Sequence, residues 1–189
     1  MDVIEGLIAD HNRFRGIFAR FHDAKEADDT AAMGELAGIL AEELEVHTAA
    51  EEASFYEPAG HLGDEISAMV AEGCEEHHVA DVLLEELSGM EAGTEQWIAK
   101  VGVLIESVEH HIDEEESDLF PGVRSCTDAD QRRAMGERFE AERAAQGAPV
   151  QADAMDLTVR ELREKAKEQK VPGRSTMDHD ELAATIDPR

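Results

Sequence analysis

Residues 47–56 read HTAAEEASFY, and residues 111–120 read HIDEEESDLF. Both segments begin with a histidine, continue after three residues with two glutamates, and end with two bulky apolar residues. Each follows a helical stripe of aliphatic residues, so the histidine and the first glutamate continue an apolar face. Side chains four apart on a helix lie about 40° apart around its axis and about 6 Å along it. The repeat therefore predicts two equivalent helices that each turn a His-x-x-x-Glu pair toward a core.

A buried glutamate on such a stripe needs a positively charged partner, because an unpaired carboxylate in an apolar core is strongly unfavourable. Two more helical segments each place a lone histidine on the apolar stripe, so four helices deliver polar side chains to one level. Imidazole and carboxylate without thiolate suit iron, manganese or zinc. The predicted metal ligands are His11, His47, Glu51, His77, His111 and Glu115.

The apolar pattern predicts an all-α fold. Apolar residues recur at helical spacing through four long segments, and no segment alternates as a strand would. Short turns between long helices indicate antiparallel neighbours, which is typical of an up-down-up-down four-helix bundle. We expect Pro58 and Gly60 to end the second helix and Pro121 to end the fourth. The predicted helices span residues 2–24, 30–57, 64–90 and 95–120.

Further elements are predicted after the bundle. A mostly polar fifth helix is expected near residues 128–146, with Thr127 as its N-cap. Beyond a linker, two short helices around a turn form a unit too small to be very stable alone. The predicted divisions are a bundle of residues 1–121, an additional helix within 122–147, a linker at 148–156 and a small helical module at 157–189.

The order His … His-x-x-x-Glu … His … His-x-x-x-Glu resembles the pattern of haemerythrin-type HHE cation-binding proteins. The resemblance implies two non-haem iron ions in the bundle core, bridged by oxo or hydroxo, with manganese or zinc less expected. It makes both lone histidines terminal ligands, both His-x-x-x-Glu histidines further ligands, and both glutamates bridges between the irons. A ferritin-like site would need Glu-x-x-His pairs and more carboxylates, which the stripes do not offer.

The third helix departs from the oxygen carriers of this family, which have two histidines four residues apart there. The positions four before and four after His77 are Gly73 and Asp81. The site then lacks one nitrogen ligand unless Asp81 or water substitutes, which leaves room for dioxygen, peroxide or nitric oxide. Three functions follow: a protein that binds or senses O2, NO or iron, an enzyme that removes peroxide or NO, and an interaction module that metal merely stabilises.

Residues beside the predicted ligands leave other possibilities open. His110 lies five residues before the second ligand glutamate, a spacing found in the oxygen carriers, so it is an alternative to His111. Glu52 and Glu116 are expected to be solvated, because each is turned about 100° from its ligand neighbour. Cys74 is expected to face the core, as a packing residue or with a redox role.

The charge balance is strongly acidic, with 45 acidic against 17 basic residues and a formal net charge of −28. Such a surface repels nucleic acid and anionic membranes, although a solvated shell in a salt-adapted organism would look the same. No apolar run approaches the roughly 20 residues that span a bilayer, and no secretory signal is apparent. Two cysteines cannot form a disulfide framework, so a cytoplasmic location is predicted.

The tail LTVRELREKAKEQKVPGRSTMDHDELAATI resembles the small SAP-like domain at the N-terminus of transcription termination factor Rho. The resemblance implies nucleic-acid binding through basic side chains. At MDHDEL, however, acidic residues stand where that family is usually basic, and the chain as a whole is acidic. Docking to a protein partner is therefore the preferred prediction. The candidate phosphate-binding residues are Arg160, Arg163, Lys167, Lys170 and Arg174.

Gel-shift titrations at two salt concentrations test the tail. We expect the isolated tail to bind DNA or RNA weakly and with steep salt dependence, because each neutralised phosphate releases counterions. The full-length protein should bind less than the tail near physiological salt, because its acidic bundle repels the nucleic acid. Tight binding by the full-length protein would instead favour a metal-responsive regulator.

Overall fold

A computed structural model describes residues 1–147 and five isolated positions beyond them, namely 166, 167, 171, 182 and 185. The described chain is helical, as the apolar pattern predicts. The predicted linker and, apart from those five positions, the small helical module lie outside the described residues. Within the described residues, no helix is both long enough and apolar enough to cross a membrane.

Four long helical rods form the bundle, and a fifth helix packs on its side. Two of the rods contain a π-helical turn, here called π1 and π2. The elements are α1 (Val3–Glu26), α2 (Thr30–Glu51), π1 (Glu52–Tyr56), α3 (Glu57–Ala59), α4 (Asp64–Ser88), α5 (Glu95–Glu114), π2 (Glu115–Leu119), α6 (Phe120–Cys126) and α7 (Ala129–Ala145).

Acidic and hydroxyl caps determine where the rods begin. The Asp2 carboxylate accepts a hydrogen bond from the Ile4 backbone N–H at 3.0 Å, and Glu5 completes a capping box. Asp29 caps α2 in the same way through Ala32 N–H. These side chains satisfy backbone donors that have no partner within a helix.

The π turns lie at corresponding places in the repeat, immediately around the two ligand glutamates. A π turn inserts extra backbone into a helix and shifts the faces of all residues that follow. Both apolar residues that end each repeat are buried, namely Phe55 with Tyr56 and Leu119 with Phe120.

Two predicted boundaries near the end of the bundle are wrong. The fourth rod continues past Pro121, because π2 lets a new helical segment start at Phe120, and proline is tolerated in a first turn. Thr127 does not cap α7: its hydroxyl donates to the Val123 carbonyl at 2.7 Å at the end of α6. The cap is Asp128, whose carboxylate accepts from two backbone N–H groups of the next turn.

The core consists of two apolar clusters with a polar layer between them. One cluster contains Phe14 and Leu104, and the other contains Leu7 and Phe120. On α1, His11 lies between Leu7 of the second cluster and Phe14 of the first. Each of the other three rods also contributes residues to both clusters, and it passes from one to the other at the same level. The predicted ligands therefore occupy the middle of the bundle, away from both open ends.

Helix α7 belongs to the second apolar cluster, to which it contributes Met135 and Phe139. Its Gly136 lies against the start of α1, where an added Cβ atom would collide with the backbone carbonyl oxygen of Met1. The helix looks polar in sequence because only this narrow side faces the bundle. The close approach fixes α7 against α1 and π1.

Gly136→Ala should lower the free energy of unfolding by about 1–3 kcal/mol, because the new methyl group meets backbone and cannot be accommodated by a rotamer change. As a control, Gly38→Ala, at an exposed helical position with no neighbouring atom within 4 Å, should raise it by up to about 1 kcal/mol. Thermal unfolding followed by circular dichroism measures both. A Gly136→Ala variant as stable as the parent protein would contradict the close approach.

Candidate metal centre

The structure brings all six predicted site residues together at one level of the bundle core. Each is buried, with at most 6% of its surface exposed. The lone histidines come from α1 and α4, and the His-x-x-x-Glu pairs come from α2 and from the junction of α5 with π2. The helical stripes that carry them into the core are those seen in the sequence.

Glu51 is the centre of one half of the site. Its Oε2 atom lies 3.3 Å from His47 Nε2, on the same rod, and 3.5 Å from His77 Nε2 on α4. One carboxylate oxygen is thus flanked by two imidazole nitrogens from two different rods.

Glu115 has the corresponding position in the other half. Its Oε2 atom lies 3.2 Å from His11 Nε2 and 3.5 Å from His111 Nε2. The two halves meet where His77 Nε2 and His111 Nε2 approach to 3.1 Å. The six side chains therefore form one continuous cluster of nitrogen and oxygen atoms.

Several atoms of this cluster that could bind a metal are buried and have no hydrogen-bond partner among the described residues. They include both carboxylate oxygens of Glu51, Oε2 of Glu115 and Nε2 of His11. Potential ligand atoms of Glu51, His77 and His111 all lie within 4.8 Å of one another. Buried carboxylates without hydrogen bonds are strongly unfavourable unless a cation compensates them. The residues present thus fit a metal ion with nitrogen and oxygen ligands.

A second set of carboxylates holds the outer nitrogen of every site histidine. Each Nδ1 atom donates to one carboxylate, which orients the ring and leaves Nε2 directed toward the centre. The pairs are His11 with Glu116 at 2.9 Å, His47 with Asp10 at 3.2 Å, His77 with Glu52 at 2.9 Å and His111 with Glu76 at 2.7 Å. Such carboxylate–histidine pairs are typical of metal sites.

These four carboxylates follow the internal repeat. Glu52 and Glu116 come directly after the two ligand glutamates, and Asp10 and Glu76 come directly before the two lone histidines. Glu52 is exposed as expected, with 47% of its side chain accessible, whereas Glu116 is half-buried at 27%. Both carboxylates nevertheless reach from the π turns to a histidine on another rod. The sequence feature that could have indicated this role of Glu52 and Glu116 is the pair of adjacent glutamates in each repeat.

The electrostatics of the site favour protonated histidines when no cation is bound. Burial lowers the pKa of His47, but attraction by Glu51 and hydrogen bonding with Asp10 outweigh it and raise that pKa to about 9. Burial likewise lowers the pKa of His77, but the nearby Glu51 carboxylate and the hydrogen bond with Glu52 outweigh it and raise that pKa to about 10. A metal ion that enters must therefore displace protons from these rings.

An aromatic ring covers one histidine in each half of the site. Tyr56 stacks on His77 with ring centroids 5.3 Å apart and planes at 11°, and Phe120 stacks on His11 at 5.7 Å and 12°. Tyr56 and Phe120 are the last residues of the two repeats. The halves differ in one group, because the Tyr56 hydroxyl donates a hydrogen bond to Glu115 Oε1 at 2.7 Å.

The space for this hydroxyl comes from a glycine. A Cβ atom at Gly73, four residues before His77, would collide with the Tyr56 hydroxyl. The corresponding position in the other half, four residues before His11, is the buried Leu7. One half is thus closed by Leu7 with Phe120, and the other contains Gly73 with Tyr56.

A cavity of about 780 Å³ reaches the site on the Gly73 side, between α4 and the rod that contains π2. Its inner wall includes Tyr56, Gly73, His111 and Glu115. Acidic side chains line it as well, namely Glu72, Glu76, Glu114 and Asp118. A small molecule can approach the buried cluster by this route.

The structure places three other candidate residues outside the core. His110 is exposed and pairs with Glu114 at 3.2 Å, and Asp81 is exposed on α4. Neither lies with the six site residues. Cys74 is exposed, so the prediction that it faces the core is wrong. The buried stripe of α4 runs through Gly73 and His77, and Cys74 lies just beside it.

The comparisons with known proteins agree with this site. The family described as Hemerythrin HHE cation binding domain matches residues 2–123, so the match ends before α7. An uncharacterised hemerythrin-like protein of the yeast Schizosaccharomyces pombe is 24% identical over 139 residues, which cover 73% of this chain and 67% of the yeast protein. No solved structure matches the chain at a significant level. The chain therefore belongs to the haemerythrin HHE cation-binding family.

Proposed function

We propose that the six clustered side chains hold two iron ions and that the protein binds or senses O2, NO or iron at this centre. The observation that carries the proposal is the arrangement around Glu51 and Glu115. One oxygen of each carboxylate lies 3.2–3.5 Å from two imidazole nitrogens. Each carboxylate with its two histidines would hold one metal, and the two glutamates would serve as the bridges that the sequence predicts.

The donor set supports iron over softer metals. Four imidazoles and two carboxylates without thiolate suit iron, manganese or zinc, and family membership favours iron. Two ferrous ions would supply electrons and open coordination positions for a small ligand. The protein's own part is to orient the rings through the four outer carboxylates and to exclude bulk water with two apolar clusters.

The difference between the two halves supports a single direction of ligand approach. Leu7 and Phe120 are fully buried on one side, whereas on the other side Gly73 and Tyr56 line the cavity that reaches the site. The acidic lining of the cavity disfavours anions, so neutral molecules such as O2, NO and hydrogen peroxide are the preferred ligands. Ferrous ions would be attracted by the same lining.

A second candidate is an enzyme that removes peroxide or NO, which the position of Tyr56 favours. Its hydroxyl lies on the wall of the cavity and donates its proton to Glu115, so its oxygen can accept a hydrogen bond from an entering molecule such as hydrogen peroxide. Stopped-flow mixing of the di-ferrous protein with O2, NO and peroxide separates the candidates. A stable adduct favours binding or sensing, turnover favours an enzyme, and no reaction favours an interaction module that metal stabilises.

Anaerobic reconstitution with Fe(II) should yield close to two irons per chain, with near-ultraviolet and visible charge-transfer absorption after oxidation. Glu51→Gln and Glu115→Gln should each lose most of the iron, because a half-site loses its charge. Glu52→Gln and Glu116→Gln should weaken iron binding by about 10- to 100-fold through the histidines they hold. Glu45→Gln and Glu109→Gln, at exposed positions of the same rods, are controls that should bind iron normally.

Iron content by mass spectrometry and chelator competition measure this series. One zinc per chain without iron uptake would contradict a di-iron centre. Equal losses from all six variants would mean that iron binds elsewhere on the acidic surface.

The double variant Tyr56→Phe/Gly73→Leu makes the open half of the site resemble the closed half. It should keep two irons but react with O2 and peroxide at least about tenfold more slowly, equivalent to about 1.4 kcal/mol of barrier. Gly102→Ala, where an added Cβ meets no atom within 4 Å, is the control. Unchanged stopped-flow rates in an iron-loaded double variant would show that ligands enter by another route.

A further inference from the structure

Asp10 differs from the other carboxylates that hold the site histidines, because it is fully buried. Its Oδ2 atom accepts the hydrogen bond from His47 Nδ1 at 3.2 Å, and both of its oxygens contact guanidinium groups, those of Arg13 and Arg143. Its counterpart in the other half, Glu76, keeps 22% of its side chain exposed and can be solvated by water. Asp10 therefore depends on protein groups to remain charged.

Arg143 reaches Asp10 from the last turn of α7. Only 3% of the residue is exposed, and its guanidinium lies over the Phe139 ring at 5.6 Å from the ring centre. Helix α7 lies outside the family match, which ends at residue 123. A buried charge thus enters the surroundings of the metal centre from an element that the family domain does not include.

The contact between Arg143 and Asp10 determines how Asp10 can hold His47. The Asp10 carboxylate, with a guanidinium group on each oxygen, accepts the hydrogen bond from His47 Nδ1 and leaves Nε2 turned toward Glu51. Without Arg143, the oxygen that holds His47 would lose its guanidinium partner, the Asp10 carboxylate could rotate, and His47 would lose its fixed orientation.

We propose that Arg143 is a positioning residue of the metal centre, acting through Asp10 on His47, and that α7 is consequently part of the site. The inference rests on the proposed iron centre. It extends that centre to a helix beyond the family domain, with Arg143 about 22 Å along α7 from the cap at its start by helix geometry. The polar appearance of α7 in the sequence conceals this role.

The test compares three full-length variants loaded with iron. Arg143→Met removes the charge but keeps a long buried side chain, and it should release iron to a chelator about 10- to 100-fold faster than the parent protein. It should also shift the charge-transfer absorption, which a purely structural role would not do. Arg143→Lys should restore most of the slow release, and Arg133→Met, at an exposed position on the same helix, should behave as the parent.

A double-mutant cycle separates coupling from general damage. In an Asp10→Asn background, Arg143→Met should have little further effect on iron release, because the path through Asp10 is already broken. Additive effects, or an Arg143→Met variant with unchanged release and spectrum, would overturn the inference. If Arg143→Met does not fold, Arg143→Gln, which also removes the charge, replaces it, and a release rate and spectrum identical to the parent would overturn the inference equally. A parent protein that takes up no iron would refute the proposed function itself, and this inference with it.

Discussion

The burial of two carboxylates, three of whose four oxygens have no hydrogen-bond partner among the described residues, is the constraint on which the rest of the structure depends. Glu51 and Glu115 lie in the middle of an apolar bundle, where an uncompensated charge costs several kcal/mol. Four histidines surround them, and four outer carboxylates restrain those histidines. The two apolar clusters above and below keep water away, so the polar layer is stabilised by its own members and by a cation.

The polar layer also determines how the rods are held together, because its contacts form a closed ring. Each contact joins one rod to the next, and the last returns to the first. The links are Asp10 with His47 between α1 and α2, Glu51 with His77 between α2 and α4, Glu76 with His111 between α4 and α5, and Glu115 with His11 between π2 and α1. Arg143 adds α7 to this ring at Asp10.

The helical stripes and the repeated His-x-x-x-Glu pattern were sufficient to predict the bundle and the six residues that meet in its core. That these six bind iron stays a prediction, as do the cytoplasmic location and the role of the tail. The π turns could not be predicted from the sequence. Each rod has only a few residues after its π turn, too few for a shifted apolar periodicity to be recognised, although the turn rotates the side chains that follow it. Glu116, Pro121 and Cys74 were misjudged for related reasons: a long side chain, a new helical start and a stripe one residue narrower than expected all depend on three-dimensional packing.

The correspondence between the halves has a consequence for how such a site can acquire an entrance. Two identical chains related by a twofold axis would carry the same side chains around both halves of the site, so both sides would be open or both closed. Here the halves lie in one polypeptide and can change separately. Leucine and phenylalanine remain on one side, while glycine and tyrosine stand at the matching positions on the other. Covalent fusion thus permits a symmetric set of ligands to face an asymmetric environment.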